Sequence, residues 1–319
     1  MNSKKIFSGK VSSIVIALIA CALWGSLFPF IKIGYSAFEI DGKNIPAIIL
    51  FAGMRFLVSG IVMIAMFSVK EKGLLMPQKK DITPILLVSL CTIILHYVFT
   101  YMALAVGEGS KSAIVKQVGF LFLSCFSFIF VKDDLFSWKK LLCGILGFCG
   151  IIVTSLDGGG FSFAVGDALL IISSFCFVAG TVATKRYVNR ISPLTIVSYS
   201  QLFGGAILCI TGVCLGGRIL HIDFRTFTVF AYIVAASIVA YVLWNVLLKY
   251  NSVSKLSIIK FAEPLFAVIF SGLLLKEDIL KINYLIALLI IAVAILLSNV
   301  SSFGRKEKSG SSSNSGGES

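Results

Sequence analysis

Two stretches of this chain place the same basic residue in the same apolar setting: "SAIVKQVGF" carries Lys116 and "LSIIKFAEPLF" carries Lys260. A buried ammonium attracts a carboxylate or a phosphate, so a matched pair of lysines has the chemistry of an anion site. A second reading stays open. Each lysine lies four residues after an expected helix start, about 6 Å in at the helical rise, and a long stem can snorkel back to the headgroups. The matched positions favour the anion site, because snorkelling fixes no particular position.

Four more residues have chemistry to offer. Glu263 follows Lys260 by three residues and shares its helix face, so it serves as an internal ion pair, a partner for a substrate amine or a carrier of a coupling proton. Pro264 lacks the N–H that would bond the Lys260 carbonyl, and a freed carbonyl is tolerated where it lines a cavity. Arg55, in "GMRF", presents a planar fork that suits a carboxylate or phosphate or an interhelical structural bond. His96 is either a packed, hydrogen-bonded residue or a proton relay. Trp24, Tyr97, Tyr101, Tyr241, Trp244 and Asn245 have the character of small-molecule pocket walls, apolar with a few polar groups, and ordinary packing is the competing reading for each.

Other chemistry is missing. An enzyme needs a nucleophile with its base, a metal cluster or paired acids, and the apolar stretches hold one glutamate and one histidine. The eight cysteines lie in apolar stretches with neither CxxC nor Cys/His ligand spacing. No enzymatic activity, metal, cofactor or disulfide is expected.

The elements that must position these residues follow from composition. Of 319 residues 58% are hydrophobic and 13% charged, which is a membrane composition. A helix needs about 20 apolar residues to cross a bilayer. Ten stretches qualify: 12–33, 46–68, 83–106, 112–131, 138–156, 164–184, 193–216, 227–248, 256–275 and 282–300. The first is too long for the apolar core of a cleaved signal and is kept as a helix. The connectors are too short for a soluble domain. Residues 1–11 form a short N-terminal segment, and the Ser/Gly-rich residues 301–319 form a tail expected to be disordered.

Lys and Arg on alternate loops set orientation. With the N-terminus in the cytoplasm, eighteen lie on cytoplasmic segments and seven outside. Both termini are therefore expected in the cytoplasm of a multi-pass plasma-membrane protein. The net charge of +13 is mostly this asymmetry, so it does not point to nucleic acid.

The chain also repeats itself. Shifted by 144 residues, Ser110–Asp134 aligns without a gap on Ser254–Asp278, with ten identities including Lys116/Lys260, and the match extends back to Tyr97/Tyr241. A shift of 153 aligns the first span with the sixth and pairs Lys32 with Lys185. Each half then holds five spans, 12–156 and 157–300. An odd number turns the halves over relative to each other, the inverted-repeat plan of secondary transporters. The expected fold class is an all-α polytopic membrane protein of ten transmembrane helices in two inverted five-helix repeats.

"ALWGSLF", "GMRF", "AYVLWNVLLKY" and "AEPLFAVIFSGLLLKED", in this order, resemble the drug/metabolite transporter superfamily in its EamA-like branch, over residues 11 to about 300. The resemblance implies a transporter of small organic solutes, often an exporter or exchanger, with a central cavity lined mainly by helices 1, 3, 4, 6, 8 and 9. One departure is that Gly119-Phe120 stands where the second half has Glu263-Pro264, whereas many relatives carry a proline in both.

The expected function is alternating-access transport of a small anionic or zwitterionic metabolite such as an amino acid or organic acid. Lys116, Lys260, Glu263 and Arg55 are its charged contacts, with a coupling proton or counter-substrate as a further partner. The alternative is export of cationic or amphipathic drugs with Glu263 as the recognition carboxylate. A channel is disfavoured because no filter motif is present. Substrate identity, direction, coupling ion and oligomeric state stay open.

Overall fold

The computed structural model describes residues 3–70, 76–119, 163–219, 221–251, 253–260 and 262–277, with single positions between 122 and 161 and between 282 and 293. The fourth span beyond Gly119 apart from Phe122, most of the fifth and tenth spans, and the tail 301–319 lie outside the described residues.

Within them the chain is helical apart from a two-residue antiparallel ladder, Leu156–Asp157 with Gly160–Phe161. After α1 (Ser3–Ser8) come α2 (Lys10–Ala37), α3 (Ile45–Lys70), α4 (Lys79–Ser89), a π-helical segment (Leu90–Leu95), α5 (His96–Val106) and α6 (Gly109–Val115). The second part holds α7 (Val165–Tyr187), α8 (Pro193–Cys214), α9 (Phe224–Tyr250), α10 (Val253–Lys260) and α11 (Ala262–Leu275). Six spans among the described residues are long and apolar enough to cross a membrane: α2, α3, the continuous run Lys79–Val106, α7, α8 and α9. They match the first three and the sixth to eighth expected spans. The ninth is built from α10 and α11.

Local sequence sets the ends. α8 opens on Pro193, where the missing N–H is an orphan in any case. α9 opens on a reciprocal cap, with the Asp223 carboxylate accepting from the Thr226 N–H at 2.7 Å and the Thr226 hydroxyl oxygen accepting from the Asp223 N–H at 2.7 Å. That backbone bond from Thr226 holds the Asp223 carboxyl below the usual carboxylate range.

Packing follows the rules of a helix bundle in lipid, where close backbone approach replaces the hydrophobic effect as the driving force. α3 lies along α8, α2 lies against both α9 and α11, and α5 lies against α7. Small residues make the α3–α8 approach possible: a Cβ on Gly60 would stand 2.7 Å from the Leu202 Cα, and one on Gly212 would stand 2.8 Å from the Leu50 Cα. The outward faces carry exposed apolar side chains such as Ile61, Met66, Ile210 and Leu273. So large an apolar exterior belongs in lipid, and the polar residues are turned inward around the middle of the bundle.

Candidate functional site

A cavity opens at this centre. α2 contributes Trp24 and Phe28, α3 contributes Arg55, α5 contributes His96, Tyr97 and Thr100, and α7 contributes Phe177; Lys116, Lys260 and Glu263 complete the charged part of its wall. Positions far apart in sequence thus bring Arg55, His96, Lys116, Lys260 and Glu263 to one space. All five are buried, and Arg55 has no exposed surface.

Arg55 is both anchored and open. Its Nε donates to Ser237 Oγ at 2.7 Å and its Nη1 donates to the Tyr101 hydroxyl at 2.7 Å. Its Nη2 has no partner among the described residues. Both readings of this residue therefore describe part of it: two arms of the fork tie α3 to α9 and α5, and the third is left for something in the cavity. The guanidinium also lies 4.7 Å from the Phe56 ring centre and 5.1 Å from that of Tyr97.

Lys116 sits in the turn just after α6. Its ammonium lies 5.3 Å from the Phe28 ring centre and 5.7 Å from that of Tyr97, and it is hydrogen-bonded to no described residue. Lys260, at the end of α10, is different. Its Nζ meets the Glu263 carboxylate at 2.5 Å, lies 3.0 Å from the Trp24 ring centre, and faces Trp244 and Phe177 at 5.0 and 5.4 Å. The two lysines line one cavity but are not alike in it. Pro264 falls in the first turn of α11, where a helix gives up little for its missing N–H.

His96 follows directly on the π-helical segment, and π-turns recur at functional sites. Its Nδ1 lies 2.9 Å from both the carbonyl oxygen and the hydroxyl of Ser173 on α7, and Thr100 Oγ1 lies 2.6 Å from the same hydroxyl. The ring is thus fixed between α5 and α7 while lining the cavity.

The remaining expected site residues divide. Trp24 and Tyr97 line the charged cavity, whereas Tyr101 stands behind it as an anchor for Arg55. Tyr241, Trp244 and Asn245 do not join them. They line a second cavity with Thr181, Thr184 and Gln201, and no charged residue among the described residues lines it. The physical reason is a partition. Trp24 packs edge-on against Tyr241 and Trp244, each at 5.3 Å, and against Phe177 at 6.1 Å, while Tyr241 donates to the Tyr97 hydroxyl at 3.1 Å. The sequence reading missed Phe177, which lines both cavities. The shift of 153 places it opposite Trp24, a signal that was available. It also missed Gln201, whose side-chain amide has neither atom paired among the described residues. Among those residues, no three His, Cys, Asp or Glu are grouped to hold a metal ion.

The family model of the EamA-like transporters matches residues 11–156 and, a second time, residues 164–299. The chain belongs to the EamA-like transporter family. As an EamA-like protein it is a multi-pass membrane transporter rather than an enzyme. It is 28% identical over 263 residues to the uncharacterized transporter YvbV of Bacillus subtilis (strain 168), covering 81% of this chain and 84% of that one. It is 23% identical over 290 residues to a probable amino-acid metabolite efflux pump of Escherichia coli (strain K12), covering 86% and 91%. A protein crystal structure has a similar fold, with a TM-score of 0.69 at 17% identity, over 92% of this chain and 98% of its own.

Proposed function

We propose that this protein is a secondary carrier that moves a small anionic or zwitterionic organic metabolite across the plasma membrane by alternating access, as an exporter or exchanger. The observation that carries this reading is the pair of cationic groups turned into the charged cavity: Arg55 Nη2 without a partner and the Lys116 ammonium without an acceptor among the described residues. Lys260 and Glu263 neutralise each other, so these two set the sign of the ligand. In a low-dielectric space two cations that outnumber the one nearby carboxylate, Glu263, favour a carboxylate or phosphate. The relative named as a probable amino-acid metabolite efflux pump supports an amino acid or organic acid.

The mechanical half of the reading is a pair of inverted five-helix repeats, 12–156 and 157–300, with ten helices in all and both termini in the cytoplasm. The double family match supports it, and so do three features of the bundle. The packed pairs form a set that maps onto itself when the halves are exchanged, with α2 against α9 answering α7 against α5, and α3 against its own counterpart α8. The neutral cavity is lined by counterparts of the charged one: Phe177 for Trp24, Thr181 for Phe28, Tyr241 for Tyr97 and Trp244 for Thr100. Lys32 donates to the Gly107 carbonyl at 3.1 Å and its counterpart Lys185 donates to the Asn251 carbonyl at 2.8 Å, where Asn251 is Gly107 shifted by 144. Two cavities on either side of one aromatic partition are what a rocking carrier presents.

Reconstitution tests both halves. Uptake of the true substrate into proteoliposomes should fall at least tenfold in Lys116→Ala and in Arg55→Ala, and exchange should show stimulation from the opposite side. Undiminished uptake in both variants refutes the anion site. Uptake unaffected by substrate on the far side refutes the carrier.

A further inference from the structure

Lys260 is held more elaborately than an ion pair requires. Its ammonium is enclosed by three aromatic faces from three other helices, Trp24 of α2, Trp244 of α9 and Phe177 of α7, with the Glu263 carboxylate at 2.5 Å. Aromatic faces with a carboxylate form a recognition site for ammonium groups in general. The rings do not depend on the lysine for their positions, because Trp24 is locked edge-on against Trp244, Phe177 and Tyr241. The cage also lies at a junction: Trp24 and Phe177 line the charged cavity, while Phe177 and Trp244 line the neutral one.

We propose that this cage is the subsite for the ammonium group of a zwitterionic substrate, and that Lys260 is a tethered occupant that fills it while the carrier is empty. The proposal rests on the reading of an anion site at Arg55 and Lys116 and completes it, with the carboxylate at those cations and the ammonium in the cage. A buried carboxylate left alone in a membrane is costly. Lys260 supplies Glu263 with a counter-charge when no substrate is present, and an arriving ammonium takes over that role. The wall residue therefore selects against simple anions: they bind at Arg55 and Lys116 but cannot displace the lysine from its cage.

The test removes the tether and leaves the cage. Purified Lys260→Ala in lipid nanodiscs is titrated with methylammonium, with sodium at equal ionic strength as the control, and thermal stability is the readout. Methylammonium should protect Lys260→Ala about tenfold more tightly than it protects wild type, and adding Glu263→Gln should abolish the gain. Equal protection of Lys260→Ala and wild type overturns the proposal. Protection by acetate, lost in Arg55→Ala, is read in parallel and reports on the anion site alone, so failure of the cage and failure of the anion site are separable. If Lys260→Ala does not fold, wild type decides: glycine betaine should bind about tenfold more tightly than its uncharged-head isostere 3,3-dimethylbutanoate, and equal affinities overturn the proposal.

Discussion

Replacing Lys116 with methionine separates a binding role from a structural one, because the two roles predict opposite signs. The side chain is buried, with 8% of the residue exposed. It is hydrogen-bonded to no described residue, and its described compensation is the Phe28 and Tyr97 rings at 5.3 and 5.7 Å and the attraction of the Glu263 carboxylate. Exchanging a buried, poorly paired charge for an apolar side chain of similar length gains about 1–4 kcal/mol. The lost cation–π contacts return about 0.5–2 kcal/mol of that. The middles of these ranges leave the empty Lys116→Met protein more stable than wild type by about 1 kcal/mol, seen as a higher melting temperature in matched detergent. Anion affinity should fall, since a hydrogen bond to a charged group contributes about 1.5–3 kcal/mol, or about 10–150-fold in Kd. Melting curves measured with and without a carboxylate ligand give both numbers from one preparation. A variant that melts below wild type and keeps its affinity refutes the reasoning and makes Lys116 a structural residue.

Three other outcomes are expected. Arg55→Lys keeps the charge but cannot serve Ser237, Tyr101 and the cavity together, so it should lose about 1–3 kcal/mol of stability and, unlike Lys116→Met, weaken anion binding as well; denaturation and ligand titration measure the two losses. Glu277→Gln weakens the bond from Lys32 at 3.1 Å and the bond from the Gly109 N–H at 3.0 Å. The pair is partly exposed, so stability should change by less than about 1 kcal/mol in a denaturation measurement. Gly60→Leu forces a side chain into the α3–α8 contact, where a Cβ alone would stand 2.7 Å from the Leu202 Cα; a loss of at least about 1–3 kcal/mol should show as aggregation in size-exclusion chromatography.

Much of the bundle was legible because lipid makes the rules strict. A run of apolar residues of the right length has to be a helix in a bilayer, which is why six expected spans reappear within a few residues of their ends. The charged residues were legible for the same reason: Arg55, Lys116, Lys260, Glu263 and His96 stand out in apolar stretches, and all five line one cavity. What spacing along one chain does not carry is the side of a partition on which a ring falls. Tyr97 and Tyr241 are equivalent in sequence, yet they line different cavities. Nor does it carry the contrast between Lys116 and Lys260, which arises because Gly119 and Glu263 occupy matching places. Only the second can neutralise its lysine. At Gly119 there is instead a backbone contact, its N–H donating to Ser174 Oγ at 3.1 Å. The π-helical segment before His96 left no mark in "LCTIIL", since its residues suit an ordinary helix equally well.

The tyrosine pair at the partition has one more consequence. Tyr241 donates its hydroxyl proton to Tyr97, with the Thr92 carbonyl at 3.4 Å as a weaker acceptor. A hydroxyl has a single proton to give, so two tyrosines equivalent in sequence cannot be equivalent in this bond: one gives and the other receives. Under the proposed alternating access, exchange of the halves would reverse the direction, with Tyr97 giving and Ala236, the counterpart of Thr92, providing the spare carbonyl. On that reading the polarity of one hydrogen bond between two like groups distinguishes the two states, and phenylalanine at either position would abolish the bond.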